Sequence, residues 1–169
     1  MRFAILLVLS VLLSVALAGC GDPDPVLGGK LPPLVSGTEF GREPKLSPVV
    51  GTPPKVLLTQ VLRQGSGPKI RSGDTVEVNY IEQVWGEPSA LESTFEDGSP
   101  LRFTAGSGEV ISGWEQALVG VRVGTRLEMS VPPEFAYGSS GDGRVKPYSV
   151  LLYVIDVVRL QTPQKAPAG

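Results

Sequence analysis

The chain has 169 residues, a net charge of −2, one cysteine and no histidine. Those absences exclude a histidine acid–base or triad mechanism, an intrachain disulfide and a zinc site of Cys/His type. Lysine and arginine are scattered without a basic run, which argues against a nucleic-acid partner, and 21 glycines with 16 prolines point to a turn-rich β domain with an extended segment attached.

The first segment, "MRFAILLVLSVLLSVALAGC", has one early charge at Arg2, an apolar run from Phe3 to Val15, and then small residues. This is the pattern of a secretory signal over residues 1–19. Its last four residues, "LAGC" at 17–20, resemble the bacterial lipobox, in which the cysteine becomes the first mature residue and carries lipid. The resemblance implies lipidation at Cys20, attachment to the cell membrane through that lipid, and an extracytoplasmic location. An uncleaved membrane anchor with an incidental cysteine is the other reading of the same residues. Residues 20–54 hold Pro23, Pro25, Pro32, Pro33, Pro44, Pro48, Pro53 and Pro54 without any hydrophobic period. They read as an extended tether and lead-in.

From Lys55 the pattern changes. "KVLLTQVLRQGSG" predicts a strand and a turn, and "GDTVEVNYIEQVW" alternates Val76, Val78 and Tyr80 against polar neighbours, a half-buried strand. "EDGSP" is a turn and "LRFTAG" another strand. Trp114, Ala117 and Leu118 share one face of a short helix predicted over 114–119, entered through Gly113. "GTRLEMSVP" alternates Leu127, Met129 and Val131. "PPEFAYGSSGDGR" is a turn-rich loop, and "SVLLYVIDVVRL" is a continuous apolar run suited to a central strand. The sum is an α+β domain over residues 55–160, with about five antiparallel strands around one short helix, and a flexible tail at 161–169.

Together "RSGDTVEVNY", "GEVISGWEQALVGVRVGTRLEMSVPPEFAYG" and "LLYVIDVV" resemble the FK506-binding protein (FKBP) type of peptidyl-prolyl cis-trans isomerase. The resemblance implies a curved antiparallel sheet wrapped around the helix, with a ligand pocket between them. It implies proline-containing polypeptides as substrates, FK506-like macrolides as ligands, a monomer, and no cofactor. Carried over residue by residue, the pocket comprises Tyr80, Leu91, Glu92, Val110, Ile111, Trp114 as its floor, Tyr137, Val145 and Tyr153. In the family the backbone N–H at the Ile111 position and the hydroxyl at the Tyr137 position donate to the ligand. The upstream "EFGREPKLSPVVGTPP" also resembles the lead-in of actinobacterial members of the family, which implies a domain start near Ser36 instead of Lys55. Leu91 and Glu92 depart from the family's usual Phe-Asp, and the loop that holds Val145 is one residue shorter. A non-catalytic module that binds a client through the same pocket is therefore a second reading.

The residue types suit isomerisation. Rotation about a peptide bond costs about 18–20 kcal/mol because it breaks the C–N resonance. The twisted amide has less charge separation than the planar one, so an apolar pocket that excludes water favours the twisted form. No proton moves and no metal or nucleophile is required. With no histidine to titrate, activity is expected to be nearly flat from about pH 6 to 8.

Overall fold

The computed structural model describes Leu31 and residues 38–96 and 98–161. The signal segment, Cys20, residues 32–37 and the tail from Thr162 lie outside the described residues. The alternating run at 75–84 forms the longest strand but one, and the rest of the sheet is arranged around it. In chain order the elements are β1 (Leu58–Arg63), β2 (Thr75–Val84), β3 (Ala90–Ser93), β4 (Leu101–Thr104), α1 (Ser112–Leu118), β5 (Arg126–Val131) and β6 (Leu151–Gln161), with a 3-10 turn at Pro133–Phe135.

The described strands form a single six-stranded sheet in the order β1-β5-β6-β2-β3, with β4 also paired to β2. Every pairing is antiparallel. β4 takes Thr75–Val78 of β2 and β3 takes Ile81–Gln83, so the two short strands extend one edge in succession. The α+β class holds, with six strands where about five were expected. The extra strand is β3, four residues of "ALES" that are exposed or half-buried and present no alternation to read. The helix begins two residues earlier than predicted.

One face of the sheet packs on α1. Val76, Val78, Leu127, Met129, Val131, Ile155 and Val157 are buried there, together with Trp114, Ala117 and Leu118 from the helix. Burying each such aliphatic side chain contributes roughly 1.5–3 kcal/mol. Gly113 lies inside the helix rather than at a turn before it. A Cβ at this position would stand 2.6 Å from Val131 Cγ1 and 3.2 Å from the Phe135 carbonyl oxygen. Close approach to β5 and the 3-10 turn is thus what requires glycine here.

The other face of the sheet is also covered, since all six residues of β5 are buried. Arg126 and Asp156, register partners on β5 and β6, form a fully buried ion pair there, with Arg126 Nε 2.6 Å from Asp156 Oδ1. Such a pair is tolerable only when its remaining polar atoms are satisfied. The lead-in does this. The Gly41 N–H donates to Asp156 Oδ2 at 2.6 Å, and Arg126 Nη2 donates to the Arg42 carbonyl at 2.6 Å. Pro44 and Val49 are buried, and Trp85 Nε1 donates to the Gly51 carbonyl at 3.1 Å. Residues 38–54 therefore belong to the folded domain and not to the tether, and the boundary placed at Lys55 moves upstream to at least Thr38.

Candidate active site

Strand parity brings Tyr80 and Glu82 to the helix face of β2, and Tyr153 of β6 stands opposite Glu82 in register. Between these side chains and the N-terminal end of α1 lies a cavity of about 230 Å³. Val110 and Ile111 form the wall just before the helix, Leu101 closes the β4 side, and Tyr137 enters from the segment after the 3-10 turn. The wall is held in place by Glu115 in the first turn of α1. Its carboxylate accepts the N–H groups of Gly106 at 2.5 Å and Gly108 at 2.9 Å, which ties the β4–α1 connection to the helix.

Trp114 is 3% exposed and lies within a cluster of rings. Its centroid is 5.1 Å from Tyr80, 5.3 Å from Tyr153 and 6.0 Å from Phe103, all three edge-to-face. These contacts orient the indole without a hydrogen bond, and its Nε1–H has no acceptor among the described residues. Trp114 is thus both a core residue and a lining residue of the cavity.

Six of the nine side chains implied by the resemblance line this cavity: Tyr80, Val110, Ile111, Trp114, Tyr137 and Tyr153. The other three do not. Glu92 stands beside the cavity, where its Oε1 accepts the Tyr80 hydroxyl at 2.8 Å and its Oε2 accepts Arg144 Nη2 at 2.6 Å. Leu91 lines a neighbouring cavity of about 180 Å³ with Val84, Arg144 and Lys146. Val145 is buried in the main core, where its N–H donates to Asp142 Oδ1 at 2.8 Å.

Glu82, Leu101 and Glu109 also line the cavity, and sequence reasoning passed over all three. The signal for Glu82 was present, because it lies two residues beyond Tyr80 and therefore on the same face of β2. An acidic residue at an inward position near a strand end reads most simply as the place where burial stops. Here burial continues, and Glu82 is 3% exposed.

Burial of Glu82 pushes its carboxyl up to about 7; the Tyr153 hydroxyl, which donates to it, works the other way, as does Arg144, while Glu92 and Asp142 push it further up. This removes the basis for a flat profile between pH 6 and 8, because a carboxyl that titrates in that range sits in the cavity. Burial likewise raises the hydroxyls of Tyr80, Tyr137 and Tyr153, so all three remain O–H donors at neutral pH. Glu92 is held below the usual carboxylate range by Arg144 and Tyr80. Glu109 is held low by hydrogen bonds from Ser107 and Thr104, so it is a charged carboxylate at neutral pH. No group of three or more His, Cys, Asp or Glu that could hold a metal occurs among the described residues.

A sheet packed on one short helix, with a cleft at the helix start walled chiefly by aromatic and aliphatic side chains, defines a small α+β domain. Residues 67–158 match the FKBP-type peptidyl-prolyl cis-trans isomerases, and the chain belongs to that family. It is 36% identical over 110 residues to an FK506-binding protein of Streptomyces anulatus, which covers 64% of this chain and 89% of the relative. It is 34% identical over 129 residues to FK506-binding protein 2 of Yarrowia lipolytica, covering 75% and 85% respectively. Among solved structures it resembles a peptidyl-prolyl cis-trans isomerase of Pseudomonas syringae pv. tomato, with a TM-score of 0.56 at 28% identity over 63% of this chain and 76% of that one. It also resembles FkpA of Escherichia coli, with a TM-score of 0.59 at 29% identity over 64% of this chain and 49% of that one.

Proposed function

We propose that this chain is a monomeric, lipid-anchored isomerase that accelerates rotation about X-Pro bonds in exported polypeptides at the cell envelope. The observation that carries the reading is the gathering of Tyr80, Val110, Ile111, Trp114, Tyr137 and Tyr153 around one cavity. A proline ring packs against Trp114, and the Tyr137 hydroxyl and the Ile111 N–H receive the flanking carbonyls. The enclosed aromatic walls withdraw the amide from water, which disfavours the planar, charge-separated form relative to the twisted one. FK506-like macrolides occupy the same cavity. The envelope location is supported by the signal pattern and by "LAGC" at 17–20.

Two measurements test this. In a prolyl-peptide isomerisation assay, the purified protein accelerates a Leu-Pro peptide, and Trp114→Ala lowers kcat/KM by about tenfold or more, equivalent to about 1.4 kcal/mol of transition-state stabilisation. Absence of acceleration, or acceleration untouched by Trp114→Ala, overturns the catalytic reading; retained binding of prolyl peptides would then favour the client-binding module. Labelled fatty acid is expected to enter the unaltered chain and not Cys20→Ala, because the cysteine is where the lipid is attached and several acyl chains are what hold such a protein stably at a membrane. Absence of label from the unaltered chain would refute the lipid anchor.

A further inference from the structure

The strand pairing puts a carboxyl into an aromatic pocket and gives it no ion-pair partner among the described residues. Glu82 stands opposite Glu92 on β3 and opposite Tyr153 on β6. It is almost fully buried, it lines the cavity, and its Oε1 has no hydrogen-bond partner among the described residues. A buried carboxylate without a cation is costly, and two carboxylates directly opposite on a sheet repel. The charged groups around Glu82 do not resolve this. Glu92 and Asp142 are both acidic, and Tyr80, Tyr137 and Tyr153 are neutral donors. Among the described residues Arg144 is the cation that acts on it, and that guanidinium is engaged 2.6 Å from Glu92 Oε2 with its side chain 58% exposed. A second carboxylate, Glu109, lines the same cavity from the connection before α1.

We propose that the pocket selects prolyl segments with lysine or arginine next to the proline, Glu82 receiving the cationic side chain and Glu109 adding negative charge to the same cavity. This rests on the isomerase reading above and narrows its substrate class. A lysine stem is apolar for four carbons and then charged, so it can lie along Leu101 and the tyrosine rings while its ammonium meets the carboxylate. The ring faces attract the same cation. In the empty pocket burial favours the protonated carboxyl, and an arriving cation favours the ionised one. Binding of a basic peptide therefore releases a proton, and the preference grows as pH rises.

The test is isothermal titration of the full chain with prolyl peptides that carry lysine, acetyl-lysine, leucine or glutamate on either side of the proline, at pH 8 and pH 5.5. Isomerisation rates are measured on the same peptides. At pH 8 lysine is expected to bind about fivefold or more tighter than acetyl-lysine at one flank, with glutamate weakest. That ratio is expected to fall toward one at pH 5.5, and at pH 8 in Glu82→Gln. Equal Kd values for lysine and acetyl-lysine at both flanks overturn the proposal, as does a preference that Glu82→Gln leaves intact. Should the variant not fold, the pH comparison on the unaltered chain decides the matter alone. If leucine peptides are isomerised without any lysine preference, only the selectivity fails. If no peptide is isomerised, the isomerase reading fails, and the binding ratios still test the selectivity.

Discussion

At the residue scale, two positions set the character of the cavity. Gly113 sets the depth of Trp114, because the helix backbone touches Val131 at this point. Gly113→Ala is expected to cost about 1–3 kcal/mol of folding stability by overpacking. Denaturant melts should show Gly113→Ala and Val131→Ala coupled, the double variant losing less than the sum of the single losses. Strict additivity would mean that the alanine methyl finds room elsewhere. Glu82 sets the polarity of the pocket and titrates near 7. On a neutral Leu-Pro peptide, the protonated carboxyl is the better wall for a twisted amide, so kcat/KM is expected to be at least about twofold higher at pH 6 than at pH 8. Glu82→Gln should flatten that profile. A wild-type profile already flat across this range would show that Glu82 does not influence the reaction.

At the scale of elements, the lead-in closes the second face of the sheet. Its Gly41 N–H and Arg42 carbonyl satisfy a buried ion pair on β5 and β6, and hydrogen bonds to charged groups contribute about 1.5–3 kcal/mol each. A chain that begins at Lys55 is therefore expected to lose at least about 2 kcal/mol of stability against the full chain, read as a lower denaturant midpoint. Equal midpoints would mean that residues 38–54 only rest on the domain. Hydrophobic periodicity does not reveal this segment, and only its resemblance to the family's lead-in points to a domain start near Ser36. Its bonds run from backbone atoms to side chains up to 115 positions away, so proline-rich residues with no period of their own are ordered by partners they do not resemble. β2, β5 and β6 were legible because alternation or a continuous apolar run records which face is buried. β3 was not, since its four residues sit on the sheet edge. In the site, the tryptophan, the tyrosines and the Val110–Ile111 wall follow from the family resemblance, whereas the residue pattern alone reads Trp114, Val110 and Ile111 as core and Tyr137 as a surface loop residue. Val145 could not be placed, because its position in a turn-rich loop carries no period from which the direction of its side chain could be read.

At the scale of the whole molecule, the buried carboxyls set how stability responds to pH. Glu82 and Glu128 are both raised from the ordinary 4.5 to about 7, chiefly by burial. Glu128 lies on the far face of β5, between Gln60 on β1 and Val154 on β6, and its Oε1 has no hydrogen-bond partner among the described residues. Between about pH 4.5 and 7 the folded chain holds protons that the unfolded chain has released. Stability therefore falls as pH rises through that window, by of order 1–3 kcal/mol per group. Glu92 and Glu109 have the opposite sign. Their folded values are lowered, so the stability they contribute is present above the ordinary carboxylate value and lost as pH falls below it. The two trends meet near pH 5, where the melting temperature is expected to peak, several degrees above its value at pH 8. Glu128→Gln separates the contributions, since it lies on the face of the sheet away from the cavity. It should raise the melting temperature at pH 8 and leave it nearly unchanged at pH 5, because at pH 5 the native carboxyl is already neutral. A chain more stable at pH 8 than at pH 5 would mean that neither carboxyl is held protonated by the fold, and a Glu128→Gln effect of equal size at both would mean that Glu128 is not.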